Sequence, residues 1–198
     1  DVRYGILRTL EPETGAFYAD TLHVIENAQP YNEGTLSDPN QVGVTALDTT
    51  TLRIRLEYPA SQAVSMLSMW MARPMPQWTI EEHGQAWTDP DNIVTSGAYQ
   101  LSEWVHDDTI ILEKSPTYYD AANVQIERIR FWMVNDATAY QMYLDGELDT
   151  FAVPSDQLDS VKADPVLSQQ LVFAPRPCTY FYGFTVSQAP FDEPLVRR

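Results

Sequence analysis

The sequence predicts an α/β protein, because segments with strand periodicity alternate along the chain with segments of helical periodicity. Residues 97–114 alternate apolar and polar side chains on both sides of a short polar turn, which is typical of an antiparallel hairpin. Residues 44–56 repeat this pattern around a turn at Asp48. Residues 137–145 have helical spacing and follow Asn135, a residue that favours helix N-caps.

The first part of the chain is predicted to be mainly helical. Apolar residues at four-residue steps indicate a helix over residues 1–10. A second short helix is predicted to end before Pro30, and an exposed loop follows over residues 31–43. After the first hairpin, Ser61 is the predicted N-cap of a helix over residues 63–71.

The last part of the chain is predicted to return to strands. A strand over residues 129–133 precedes the helix that Asn135 caps, and residues 155–158 are predicted to cap a further helix. Alternating or β-branched runs predict three more strands, at residues 148–153, 171–174 and 179–186.

Composition excludes several classes of protein. The chain has 198 residues, enough for one large domain or two small ones, and its hydrophobic content of 44% excludes a disordered chain. A formal net charge of −16 argues against nucleic acid, because phosphate binding needs clustered Lys and Arg. A single cysteine excludes an internal disulfide, and no apolar run is long enough to span a membrane.

The side chains that carry chemistry form no recognisable catalytic motif. Three histidines lie far apart in the sequence and are interpreted as surface residues: His23, His83 and His106. Cys178 is a candidate nucleophile, but no local signature supplies the base and orienting partner that it needs. Neighbouring carboxylates, as at residues 81–82 and 107–108, are expected by chance in so acidic a chain. We therefore predict a protein that is not an enzyme and has neither a cofactor nor a metal.

Both ends of the sequence indicate a piece of a longer protein. The chain opens at Asp1 without an initiator methionine or a signal peptide, and residues 191–198 look like the first turn of a helix. We expect further polypeptide on both sides.

Several motifs resemble one known family. The stretch WTDPDNIVTSGAYQLSEW at residues 87–104 is similar to a segment of the periplasmic oligopeptide-binding proteins of ABC importers, known as extracellular solute-binding protein family 5. The similarity extends, in order, to residues 1–4, 10–12, 111–120, 143–149, 178–182 and 189–197. The CTYFY motif at residues 178–182 is narrower and resembles the oligopeptide and murein-peptide receptors.

The resemblance implies a type II periplasmic binding protein-like fold with an extra domain, of which this chain covers one lobe in part. Residues 1–75 would belong to the extra domain, residues 76–177 to ligand lobe I, and residues 178–198 to the crossover towards lobe II. The implied function is the capture of extended oligopeptides between two lobes and their delivery to a membrane permease. The implied receptor is a monomer, either periplasmic or lipid-anchored on the outer face of the membrane.

The resemblance also implies which residues contact the peptide. Cys178 would offer backbone groups, Phe181 and Arg176 would line side-chain pockets, and Tyr4 matches a tyrosine close to the peptide in relatives. Arg176 and Phe181 both stand where relatives commonly carry Tyr, and Gly183 replaces an acidic residue. These departures bear on ligand preference.

Three alternatives stay open at this point. The same fold binds other solutes in this family, such as a dipeptide, a murein peptide or a nickel chelate. A hydrolase that uses Cys178 or a carboxylate pair is the alternative from another class. The third alternative is that the isolated chain has no activity and merely represents a receptor. We predict that it binds peptide far more weakly than a whole receptor, because one wall of the cleft is missing.

Overall fold

A computed structural model describes residues 1–175 and 178–197. The chain divides into two compact parts, Asp1–Met133, here called unit 1, and Val134–Arg198, here called unit 2. The predicted domains refer to the architecture of a whole receptor, so their boundaries at residues 75 and 177 stay a prediction.

Helices and strands are mixed along the chain, as the sequence predicts. The α-helices are α1 Val2–Leu10, α2 Ala28–Asn32, α3 Ala63–Leu67, α4 Gln77–His83, α5 Asp136–Leu144, α6 Leu158–Ala163 and α7 Leu167–Gln170. The strands are β1 Val44–Ala46, β2 Leu52–Ile54, β3 Tyr99–Val105, β4 Thr109–Lys114 and β5 Arg128–Trp132. Short 3₁₀ helices lie at Pro12–Thr14, Ala19–Val24, Pro39–Gln41, Trp70–Ala72, Gly84–Thr88 and Ala121–Asn123.

The main hydrophobic core lies in unit 1, around α1. The core includes side chains that are at most 2% exposed, among them Ile6, Leu10, Leu22, Ile25 and Val44. The Thr9 hydroxyl donates to the Met71 carbonyl over 2.9 Å and so ties α1 to the Trp70–Ala72 turn. A side chain at Gly5 would collide with the Arg73 carbonyl, so glycine allows the chain to pass closely over the helix.

The first hairpin forms where the sequence predicts it. Strands β1 and β2 pair antiparallel, with Val44 opposite Ile54. The Asp48 carboxylate closes the turn by accepting from the backbone N–H groups of Thr50 and Thr51, each over 2.8 Å. These donors, led by the Thr50 N–H, lower the pKa of Asp48, because they stabilise its charged form.

The central hairpin is also confirmed, and it extends into a three-stranded sheet. The strands lie in the order β3-β4-β5, all antiparallel, with Val105 opposite Thr109 at the turn. Asp107 adopts a left-handed conformation in this turn, with φ of 62°. A register shift between Leu101 and Glu103 bends β3, and Ile111 in the middle strand is buried.

The helix α5 opens unit 2 and follows its predicted capping. The Asn135 side chain accepts from the Thr138 N–H over 2.9 Å. Gly146 follows the helix with φ of 77°, the left-handed conformation that ends many helices.

The three strands predicted at residues 148–153, 171–174 and 179–186 are wrong for this chain. All five strands of the described residues lie within residues 44–132. A strand is defined by the ladder that it forms with a neighbour, and no described strand lies beside these segments. Their sequence has strand character, but the partner is not within the described part of the chain.

One local prediction in unit 1 is incomplete and another is wrong. The predicted second helix is the 3₁₀ helix Ala19–Val24, which ends before Pro30, but a further helix, α2, then includes Pro30 and enters the predicted loop. Pro30 stands at a first-turn position where a backbone N–H has no intrahelical acceptor to lose. The N-cap of α3 is Gln62 rather than Ser61, and it makes no side-chain cap bond.

Candidate ligand-binding site

The sequence places two of the four candidate ligand contacts, Cys178 and Phe181, in residues 178–186, here called the aromatic segment. In unit 2 this segment has no regular secondary structure. Within the described residues, positions 178–184 make no backbone hydrogen bond, and only the Thr185 carbonyl of the segment accepts one, from the Gln188 N–H over 3.0 Å. The backbone of the aromatic segment is therefore available for pairing with another extended chain.

The aromatic side chains of this segment face solvent. Tyr180, Phe181 and Tyr182 are 83%, 79% and 76% exposed, so none of the three is covered by the described part of the chain. The rings of Tyr180 and Tyr182 meet edge to face, with centroids 5.4 Å apart.

The four predicted contact residues fall in different places. Cys178 is exposed and free, and Phe181 follows three residues later in the same open segment. Arg176 lies outside the described residues. Tyr4 belongs to unit 1, whereas Cys178 and Phe181 belong to unit 2. Their roles in binding stay a prediction.

Tyr4 is half-buried on a firmly held helix. Its neighbour Arg3 donates from Nε to the Val44 carbonyl over 3.2 Å and from its guanidinium to the Asn40 side chain over 3.0 Å. These bonds fix α1 against the first hairpin. A side chain on such an element keeps a defined position, which is useful in a binding site.

Sequence reasoning missed an apolar groove of about 460 Å³ within unit 2. Its walls come from α5, α6, residues 149–153 and residues 171–174, and Phe151 is one of the lining residues. The Phe151 ring is 5.0 Å from the Tyr143 ring and 5.5 Å from the Tyr140 ring, centroid to centroid. The signal available in the sequence was the helical spacing of Tyr140 and Tyr143 together with Phe151 in a strand-like run.

The described residues offer little in the way of catalytic chemistry. Within them, no group of three or more His, Cys, Asp or Glu side chains is placed to hold a metal ion. The strongest pKa shift is structural: burial, followed by a hydrogen bond to the Glu11 carboxylate, raises the pKa of Tyr31 to about 12. Among the same residues, no helix has the length and apolar character of a membrane span.

The folded chain has the architecture of a periplasmic binding protein. Over 98% of its length it superposes on Haemophilus influenzae OppA in complex with RPPGFSPFR, with a TM-score of 0.85 and 30% sequence identity. The matched region is 38% of that chain. This similarity confirms the predicted periplasmic binding protein-like fold and shows that the chain covers a part of it.

The family follows from the sequence. Residues 1–198 match the family described as Bacterial extracellular solute-binding proteins, family 5 Middle, and the chain belongs to this family. It is 34% identical to the dipeptide-binding protein DppE of Bacillus subtilis (strain 168), over all of the chain and 36% of that protein. It is 32% identical to the "Probable deoxycholate-binding periplasmic protein YgiS" of Escherichia coli (strain K12), over all of the chain and 37% of that protein.

Proposed function

We propose that this chain is part of the substrate-binding component of an ABC importer, which captures extended oligopeptides between two lobes. The observation that carries the proposal is the superposition of nearly the whole chain on a peptide-bound OppA. The family match over residues 1–198 supports the same class of function.

The aromatic segment supports an extended mode of peptide binding. Its backbone groups have no partner strand among the described residues, so a stretched peptide can add to it by main-chain hydrogen bonds. Such bonds do not depend on side-chain identity and give broad sequence tolerance. Cys178 contributes backbone groups in this proposal, while Phe181 and Arg176 line side-chain pockets and Tyr4 contacts the peptide from α1.

The proposal includes the partner and the location of the whole receptor. Closure of two lobes around the peptide would create the form that a membrane permease recognises. The receptor acts as a monomer in the periplasm or on a lipid anchor outside the membrane. It performs no chemistry on its ligand.

The second candidate function is the binding of another solute by the same fold. The names of the two relatives, a dipeptide-binding protein and a probable deoxycholate-binding protein, show how widely ligands vary at about this level of identity. Murein peptides and nickel chelates belong to the same set of alternatives. The hydrolase alternative gains no support from unit 2, because residues 134–198 contain no histidine to act as a base for Cys178.

Calorimetric titration with three probes tests the proposal: the peptide RPPGFSPFR, the dipeptide Ala-Ala and deoxycholate. A longer protein that carries this chain within a full-length receptor should bind the nonapeptide more tightly than the other two. The 198-residue chain should bind it far more weakly, because residues that enclose the peptide are absent. Equal affinity of the two proteins would contradict the two-lobe mechanism, and preference for deoxycholate or the dipeptide would change the assigned solute.

Mass spectrometry of the recovered nonapeptide separates a receptor from a hydrolase. The receptor returns the peptide intact. Cleavage products that disappear in Cys178→Ala would establish the enzyme instead. Cys178→Ala should otherwise leave peptide affinity nearly unchanged, because the proposed contact uses the backbone of this residue.

A further inference from the structure

A short segment of unit 1 crosses α1 on its way to α4. It comprises residues 71–75, here called the crossing segment, and it leads from the Trp70–Ala72 turn to Pro76, the residue directly before α4. Arg73 and Pro76 both have extended dihedral angles, and the prolines at positions 74 and 76 stiffen the chain between them. The crossing segment is therefore a stiff connection.

Hydrogen bonds hold both ends of the crossing segment against α1. At one end the Thr9 hydroxyl donates to the Met71 carbonyl over 2.9 Å, and at the other the Met75 N–H donates to the Asp1 carbonyl over 3.3 Å. Thr9 is only 3% exposed, so water is not a ready substitute for the Met71 carbonyl. Met75 stands between two prolines, which carry no N–H, so it offers the only backbone donor of residues 74–76.

A glycine allows a close contact between these two ends. A Cβ at Gly5 would overlap the Arg73 carbonyl oxygen and lie 3.2 Å from the Met75 nitrogen. Positions 1, 5 and 9 recur at four-residue steps and so share one face of the helix. Four helical residues rise about 6 Å, which is also about the span of two extended residues. The two chains therefore run antiparallel in register, with positions 1, 5 and 9 facing positions 75, 73 and 71.

Tyr4 lies in the turn of α1 that these contacts hold. Asp1 and Gly5, which flank it in the chain, both contact the crossing segment. The buried residues of α1 all lie between positions 5 and 10, whereas Tyr4 is half-buried at the margin of the core. The position of Tyr4 thus depends on the crossing segment as well as on the hydrogen bonds that Arg3 makes to the first hairpin.

We propose that Gly5 and Thr9 are positioning residues for peptide binding, which hold the crossing segment against the turn that carries Tyr4. This inference rests on the proposed function, in which Tyr4 contacts the peptide. The crossing segment ends at residue 75, the predicted boundary between the extra domain and ligand lobe I, so its fit against α1 sets where Tyr4 lies relative to that lobe. A side chain that contacts a ligand has to be held to within about 0.5 Å.

Peptide titration of a full-length receptor that contains this chain tests the proposal, at a temperature where circular dichroism shows every variant to be folded. Gly5→Ala should weaken the binding of RPPGFSPFR by about tenfold, because the added methyl group pushes the crossing segment away from α1. Ile111→Val is the control in another part of unit 1. It trims a side chain that is 2% exposed in β4 and should lower the melting temperature without changing the affinity.

Thr9 offers a pair of matched variants. Thr9→Val keeps the shape of the side chain but removes the donor to the Met71 carbonyl, and it should weaken nonapeptide binding by about fivefold. Thr9→Ser keeps the hydroxyl and should restore most of the affinity. Because both residues act through Tyr4, Gly5→Ala should cause no further loss of affinity in a Tyr4→Ala background.

A measurement without peptide reports on Tyr4 directly. With 3-fluorotyrosine at position 4, Gly5→Ala and Thr9→Val should shift or broaden the fluorine NMR resonance, and Ile111→Val should leave it unchanged. If the wild-type receptor failed to bind the nonapeptide, the proposed function would be contradicted. The resonance would still decide whether the crossing segment holds Tyr4.

Four outcomes would overturn the inference. An unchanged resonance in Gly5→Ala would show that the crossing segment does not hold Tyr4. Equal losses of affinity from Gly5→Ala in the wild-type and Tyr4→Ala backgrounds would show that Gly5 acts on the fold as a whole, as would an equal loss in Ile111→Val. Peptide binding that Tyr4→Ala does not weaken would remove Tyr4 from the contact residues and leave the receptor function intact.

Discussion

Unit 1 and unit 2 differ sharply in how much of their structure they stabilise themselves. Unit 1 contains the hydrophobic core around α1 and all the strands of the described residues, in two antiparallel sheets. Unit 2 has one helix with a side-chain cap, α5, but buries only Val161 among its described apolar residues. Local signals therefore form helices in both units, whereas a core forms only where apolar residues from several elements converge.

The largest expected difference between the units comes from truncating a leucine in each. Leu22→Ala should lower the free energy of unfolding by about 2–5 kcal/mol, because Leu22 is 0% exposed in the core and its removal leaves a cavity. Leu195→Ala should change it by less than about 0.5 kcal/mol, because Leu195 is 73% exposed. Urea denaturation followed by circular dichroism measures both. Similar losses of unfolding free energy in the two variants would contradict the contrast between the units.

A pair of glycines gives the next largest effect. A Cβ at Gly43 would lie 2.6 Å from the Arg55 carbonyl oxygen and 2.9 Å from the Glu26 Cβ, so Gly43→Ala should cost about 1–3 kcal/mol. At Gly183 nothing lies within 4 Å of the added atom, and Gly183→Ala should be nearly neutral. Thermal denaturation of both variants is the measurement. An unchanged melting temperature for Gly43→Ala would show that this side of the core can relax around a methyl group.

Helix capping in unit 2 is expected to have a smaller, local effect. Asn135→Ala removes the acceptor for the Thr138 N–H and should destabilise α5 by about 1 kcal/mol. This loss corresponds to about a fivefold rise in the exchange rates of the α5 amides. Gln157→Ala is the control, because Gln157 occupies the N-cap of α6 without a side-chain cap bond. Exchange rates of the amides in the two helices report the result. If Gln157→Ala raised the exchange rates of the α6 amides by the same factor, the assigned role of Asn135 would be contradicted.

The smallest expected effect is a dependence on pH that comes from the Asp48 turn. Backbone donors hold the pKa of Asp48 below its ordinary value, so the folded state binds a proton more weakly than the unfolded state. The stabilisation is present above the ordinary carboxyl pKa and is lost as the pH falls through the lower, folded value. The difference in melting temperature between the wild type and Asp48→Ala should therefore shrink as the pH falls below the ordinary carboxyl pKa of about 4. A constant difference would show that charge plays no part in this turn.

The sequence predicted structure well where the partner residues are close in the chain. Both hairpins and the Asn135 cap depend on residues a few positions apart, and all three are confirmed. The predicted strands at residues 148–153, 171–174 and 179–186 failed because periodicity records a tendency and not the presence of a neighbour. The same limit applies to the architecture: periodicity indicated only an α/β protein, whereas motif similarity identified the periplasmic binding protein-like fold.

The candidate site was predictable only in part, for related reasons. Motif similarity selected Cys178 and Phe181, and both lie in a segment whose backbone is open for pairing. The groove around Phe151 was missed because its walls come from four separate segments that share no motif. A pocket of this kind depends on packing between elements, which a single sequence does not display.

The order β3-β4-β5 has a consequence for biosynthesis, because it is also the order of the strands along the polypeptide. Each strand pairs with the one made just before it, so the sheet closes only short loops and can assemble as the chain emerges amino terminus first. This sheet can thus be complete before the residues after Met133 have emerged. Early products of translation would then already contain a native meander, to which later segments are added.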